Sequence, residues 1–103
     1  MPGAARTTDS TTEHSPCSPG TCSQGSSDVY INNLPAFRVG DRNTPHGVPV
    51  STPTGIVCVP HVTVLAQGSP NVFVNGRPLG RGDDSFACGI KVGSRSGDVI
   101  ING

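Results

Sequence analysis

The sequence predicts an all-β domain of three pseudo-equivalent units arranged around an axis. Three observations carry that reading. A Pro-x-x-Arg-x-x-Asp pattern runs from Pro35 to Asp41 and again from Pro78, through Arg81, to Asp84; Pro2 to Asp9 repeats it with one extra residue between Pro and Arg. A short strand-like run precedes each internal copy, at 27–33 and 70–76, and a third such run, 97–103, ends the chain. The chain therefore opens with the second half of a unit and closes with the first half, so joining its ends completes a third unit. Finally, no window shows 3.6-residue periodicity, and Pro45, Pro49, Pro53 and Pro60 exclude a helix from the longest intervening stretch.

The elements follow in order. Residues 1–9 hold the first Pro-to-Asp copy, with no leader expected before it. Residues 10–26, rich in Ser, Thr, Gly and Pro, form a first excursion that contains His14, Cys17 and Cys22. In the run 28–33, Val29 and Ile31 fall on one face and Tyr30 on the other, as in a strand, and Asn32-Asn33 provides a hairpin turn before Pro35 starts the return. Asn75-Gly76 and Asn102-Gly103 give the stronger type I′ turn signal in the other two units. Residues 42–68 are the longest excursion, with His46, a β-branched run from Thr54 to Val59, and a strand-like run from Pro60 to Leu65. Residues 85–96 are the shortest and contain Cys88.

Composition bounds the function. A chain of 103 residues is one small domain, here residues 1–103 with no extension domain. Only 23 residues are Leu, Ile, Val or Phe, against fourteen Gly and ten Pro, so apolar burial leaves a thin margin. A metal, a disulfide or assembly is needed to widen it. Seven basic and seven acidic residues give a formal charge of zero, with no basic stripe or aromatic platform, so nucleic acid is not an expected partner. No signal-peptide core or spanning helix is present in this sequence, and production in the cytoplasm is the expectation.

Repeat register points to a metal. Five residues after Asp9 is His14, five after Asp41 is His46, and four after Asp84 is Cys88. Units surrounding an axis bring these three side chains together. His61, the one remaining histidine, lies in the excursion long enough to reach back. His14, His46, His61 and Cys88 make a closed set of borderline ligands suited to one tetrahedral, structural Zn²⁺. Cys17, Cys22 and Cys58 are rival ligands. Cys17 and Cys22 read as a disulfide or as two loop thiols, three connectivities being open to four cysteines; Cys58, in its β-branched run, reads as a buried small hydrophobe.

Other motifs carry less. Arg81-Gly82-Asp83 spells an integrin-type tripeptide, but Arg6 and Arg38 hold the same repeat position without it. The three Arg–Asp pairs, if exposed, contribute about 0–1 kcal/mol each and serve chiefly to order a turn. No catalytic residues are assigned, because no base and orienting acid are spaced for a triad and no phosphate-binding loop or His-Glu-x-x-His pattern occurs. An enzyme is not expected.

These residues resemble a known family. Pro2-Gly3-Ala4-Ala5-Arg6 is similar to the Pro-Ala-Ala-Arg signature of the PAAR-repeat proteins, and Pro35–Asp41 resembles a second copy. Ser69–Pro78 looks like the family's strand-turn segment and Ala87-Cys88-Gly89 like its late cysteine. The similarity spans nearly the whole chain, although Gly3 replaces an Ala and Leu79-Gly80 replaces Ala-Ala. The resemblance implies a small β-built cone with zinc, or iron, near its vertex, carried over here to His14, His46, His61 and Cys88. It also implies a tip that caps and sharpens the trimeric spike of a contractile injection machine, either a type VI secretion spike of the VgrG kind or a phage tail.

The two lines of argument meet on mechanism. A pseudo-threefold chain fits a threefold trimer, one tip per trimer, by pairing with strand ends that are otherwise exposed edges. The narrow end then contacts a target membrane transiently, and effector cargo is a possible passenger. A free-standing small zinc-binding or thiol-redox protein, using Cys17 and Cys22, is the alternative.

Overall fold

The structure, a computed structural model, describes residues 2–101. All regular structure among them is β: three antiparallel hairpins formed by β1 (Tyr30–Ile31) with β2 (Leu34–Pro35), β3 (His46–Thr52) with β4 (Gly55–His61), and β5 (Phe73–Val74) with β6 (Arg77–Pro78). The short hairpins turn as their residues predict. Asn32 and Asn33 have φ of 53° and 66°, and Asn75 and Gly76 have 54° and 77°, the left-handed pairs that a type I′ turn requires. The third such turn, Asn102-Gly103, lies outside the described residues.

The chain ends meet as expected. Gly3 bridges Ile100, the counterpart of Pro35 opposite Tyr30 and Pro78 opposite Phe73. The three units then link head to tail: Arg6 bridges Ala36, Arg38 bridges Leu79, and Arg81 bridges Ala4. That closed cycle of backbone bridges is the pseudo-threefold. A second cycle lies beyond it, where the amides of Cys22, Leu65 and Val92 donate to the carbonyls of Asp9, Asp41 and Asp84.

Burial follows the same symmetry. One core cluster consists of two trios of equivalent residues, Ile31, Val74 and Ile101 with Ala4, Ala36 and Leu79. The second cluster holds Phe37, Phe86, Leu65, Ile90 and Val92 with Ala5 and Cys22, and Cys88 packs on it. Each fully buried Leu- or Phe-sized side chain contributes about 1.5–3 kcal/mol relative to an exposed one. The clusters stack, so the second lies between the short hairpins and the candidate site.

Polar groups stiffen each unit. In every Arg-x-x-Asp turn the carboxylate is 2–3% exposed and accepts from both the backbone amide and the guanidinium of the Arg, as in Arg38 N to Asp41 Oδ2 at 2.9 Å and Arg38 Nε to the same oxygen at 2.9 Å. The Arg38–Asp41 pair is thus buried and the Arg6–Asp9 and Arg81–Asp84 pairs are partly buried, rather than exposed, with each Asp carbonyl taken into the second bridge cycle. A repeated serine does related work. Ser26, Ser69 and Ser96, each 1% exposed, accept on Oγ from the amides two and three residues on, which starts the hairpin. Ser26 also donates to Asn75 Oδ1 and Ser96 to Asn32 Oδ1, both at 2.6 Å, and Arg38 and Arg6 donate to the same two oxygens at 2.9 Å. Each of these turn asparagines therefore ties its own unit to a neighbouring one, at both the serine and the arginine of that neighbour.

The β3–β4 hairpin departs from expectation. The predicted strand Pro60–Leu65 is displaced toward the N-terminus: β4 covers Gly55–His61 and pairs in register with β3, His46 opposite His61 and Thr52 opposite Gly55. Prolines concealed this hairpin but do not obstruct it. The Gly47 amide points outward, to the Ser18 carbonyl at 3.1 Å, so its partner Pro60 occupies a position whose nitrogen also faces away from the ladder, as does Pro49 two residues on. Seven residues per strand span roughly 23 Å, a large part of the 47 Å long axis of a molecule 25 and 22 Å across the others.

Candidate metal centre

The three excursions bring three of the predicted ligands, His14, His46 and Cys88, to one place, and His61 lies beside His46 but outside the group whose donor atoms all approach one another. His14 ends the outward leg of the first excursion, and its carbonyl accepts from the Cys17 amide at 2.8 Å in a tight turn through Ser15-Pro16. His46 is the first residue of β3 and His61 the last of β4, so the hairpin root sets them opposite each other. Cys88 sits in the turn of the shortest excursion, closed by Gly89, whose φ of 96° favours glycine, and by the Gly89 amide on the Phe86 carbonyl at 3.0 Å.

Distances between donor atoms suit a metal. Those of His14, His46 and Cys88 all lie within 4.8 Å of one another. His46 Nε2 is 3.4 Å from His61 Nδ1 and 3.8 Å from Cys88 Sγ. Zinc bonds of about 2.0–2.1 Å to nitrogen and about 2.3 Å to sulfur place tetrahedral ligand atoms about 3.3 Å (N to N) and about 3.6 Å (N to S) apart. The His46 edges match those spacings. The His14 and His61 rings flank His46, each centroid 5.1 Å from its own. His46 is 2% exposed, and its pKa is lowered, first by burial and then by the neighbouring His14 and His61, so the ring is held neutral as a ligand must be.

Asn43, absent from the sequence argument, positions this ring. Its Oδ1 accepts from the Thr63 amide at 2.7 Å, while Nδ2 donates to the Thr44 carbonyl and lies 2.7 Å from His46 Nδ1. The two backbone partners fix the amide's orientation, so Nδ2 donates to Nδ1 and the neutral ring carries its proton on Nε2. A metal on Nε2 requires that proton to move to Nδ1 and the amide to turn. Asn43 stands two residues after Asp41, where the other units have Thr11 and Phe86; a buried amide at that repeat position was the available signal.

The cysteines sort differently from expectation. Cys17 and Cys58 form a disulfide, so neither is a rival ligand, and Cys58 is exposed on β4 rather than buried. Cys22 is a buried free thiol whose pKa is pushed up, first by burial and then by Asp9 and Asp41. The proposed Cys17/Cys22 thiol pair is therefore not formed. Beside the histidines, a cleft of about 340 Å³ is lined by His14, His61, Cys88 and Pro60 with Val48, Val50 and Val59 of the hairpin.

Comparison with known proteins fits this architecture. A family model described as the PAAR motif matches residues 43–94. The chain is 37% identical over 86 residues to a double-stranded DNA deaminase toxin of Burkholderia cenocepacia, covering 82% of this chain and 5% of the relative. It is 33% identical over 86 residues to an NAD(P)(+) glycohydrolase toxin and to a (p)ppApp synthetase toxin, both of Pseudomonas aeruginosa, again covering 82% of this chain and 19% of each relative. The chain thus spans about a twentieth to a fifth of the length of the curated relatives it matches. With the motif model matching half of its residues and the repeat carried through the backbone, the chain belongs to the PAAR-motif family.

Proposed function

We propose that this chain is a structural, non-catalytic spike tip, one copy seated on the threefold end of a trimeric spike of the VgrG type. The observation that carries this reading is the exposed counterpart of the internal symmetry. Tyr30, Phe73 and Ile100 stand at equivalent positions of the three units and are 57%, 57% and 47% exposed. Three large apolar side chains displayed by one chain in a threefold arrangement fit a threefold partner, and strand ends beside them offer backbone groups for pairing.

The opposite end suits the leading role. No charged residue occurs from 43 to 76, and the β3–β4 hairpin exposes Val50, Ile56, Val57 and Val59. An uncharged apolar arm meets a target membrane at lower desolvation cost than a charged one. One metal ion, zinc in preference to iron given three imidazoles and one thiolate, held by His14, His46, His61 and Cys88, keeps the root of that arm rigid.

Residues 1–103 then act as a single PAAR domain. Its relatives are much longer toxins that share only this part, which supports a carrier role for effectors and a secretion machine over a phage tail. The test is binding to the trimeric spike: Tyr30→Asp, Phe73→Asp and Ile100→Asp together should abolish capture while the fold persists. Undiminished capture by the triple variant would refute the docking face.

A further inference from the structure

We infer that the Cys17–Cys58 disulfide is a redox clamp on the metal centre, setting how firmly His14 is held against the other ligands. This rests on the metal reading of the site. The bond joins segments 41 residues apart, and each of its cysteines is three residues from a candidate ligand, Cys17 from His14 and Cys58 from His61. Both spacings are rigid. The Cys17 amide is bonded to the His14 carbonyl, and Cys58 shares strand β4 with His61.

Register places the clamp on the reverse face of the arm. His46, His61, Val48 and Val59 alternate with Gly47, Pro60, Pro49 and Cys58, so the histidines lie on one face and the disulfide on the other. The His14 turn is thereby pinned to the back of the hairpin while its ring reaches the front. Gly47 allows this approach: a Cβ there would lie 2.6 Å from Cys17 Cβ and 3.1 Å from Cys58 Cβ. Close to His14, the one other backbone tie between loop and hairpin among the described residues is the Gly47 amide on the Ser18 carbonyl. Cys17 is 1% exposed, whereas Cys58 is exposed on the arm, so a reductant reaches the bond from that side.

Reduction by a dithiol breaks the S–S bond. Two electrons and two protons pass to Cys17 and Cys58, and the dithiol leaves as its own disulfide. The His14 turn is then free to swing, which costs the metal a preorganised ligand. A chain among dithiols exchanges metal readily, and oxidation fixes the metal in place.

Zinc affinity of the full chain tests this, measured by competition with a chromophoric chelator. The samples are the oxidised protein, protein reduced with a water-soluble phosphine, and Cys17→Ser/Cys58→Ser, each also carrying His14→Ala. The phosphine takes an oxygen from water as it delivers the two electrons and protons, and it competes weakly for zinc. The clamp predicts that reduction and the serine pair each weaken zinc binding about tenfold or more, as loss of supporting contacts to ligands does. In the His14→Ala background the redox difference should vanish. Equal affinity of oxidised and reduced protein overturns the clamp, as does a redox difference that survives His14→Ala. Oxidised protein that binds no zinc refutes the metal reading, and the clamp falls with it.

Discussion

His46 and His61 face each other across the root of the β3–β4 hairpin, with Nε2 of the first 3.4 Å from Nδ1 of the second. Strand pairing fixes this relationship, since opposite residues on one face of an antiparallel ladder stand about 4.5–5.5 Å apart at Cβ. The arm and the candidate metal centre are therefore one mechanical unit, and loosening either should loosen both.

Removing the ligands should show that coupling. His46→Ala and Cys88→Ala are each expected to eliminate stoichiometric zinc and lower the melting temperature. Thermal scans with and without chelator should converge for both variants but separate for the native chain. A structural zinc can supply roughly 10–16 kcal/mol of apparent binding energy at neutral pH, so a native chain whose melting ignores chelation would contradict a structural role.

Asn43 gives a prediction of opposite sign. As placed, its amide donates to His46 Nδ1 and favours a proton on the metal-facing nitrogen. Asn43→Asp substitutes an acceptor for that donor, favours Nδ1–H, and should tighten zinc binding by roughly tenfold, the lower end for a supporting partner. Chelator competition measures it, and weaker binding by a folded Asn43→Asp protein would contradict the assignment.

The buried ion pairs should be unequal. Arg38 and Asp41 side chains are 9% and 3% exposed, whereas Arg6 and Arg81 are 17% and 15% exposed beside equally buried carboxylates. Deleting one member of a buried pair costs about 3–5 kcal/mol by stranding the other, a large share of a stability of about 5–15 kcal/mol. Arg38→Ala should thus destabilise more than Arg6→Ala or Arg81→Ala in urea unfolding. Arg77→Ala, which removes a half-exposed partner of Asp41 at 3.3 Å, should cost about 0–1 kcal/mol.

Much of this design was legible in the residues. The Pro-x-x-Arg-x-x-Asp copies fixed the register, and because each Asp is followed by an outward leg of similar length, counting from Asp brought His14, His46 and Cys88 together. Terminal closure was legible for the same reason, Gly3 opposite Ile100 being the pair that Pro35 and Tyr30 make elsewhere. The arm was not, because outward-facing Pro49 and Pro60 resemble strand breakers until the register is known. Nor was the disulfide, since pairing Cys17 with Cys58 requires the first excursion to cross behind the second. Ser26, Ser69 and Ser96 did repeat in the sequence, but their role emerges only when Asn75 and Asn32 are seen to reach across from other units.

Acid should weaken the fold through His46. Burial, then His14 and His61, lower its pKa below the ordinary 6.5. In metal-free protein the unfolded chain takes up a proton near that value while the folded chain does not. His46 thus adds no pH dependence above it, and stability falls as pH drops through and below about 6.5. Urea midpoints at several pH values should show the decline, and His46→Gln should flatten it. An equally steep decline in that variant would assign the effect elsewhere.

The central claim is that one chain, made threefold by its own backbone, completes a threefold partner. Native mass measurement of the chain mixed in excess with its trimeric spike tests it most directly. The account predicts a single complex of one tip per trimer, lost with the Tyr30, Phe73 and Ile100 substitutions. Three tips per trimer, or no complex at all, would contradict it.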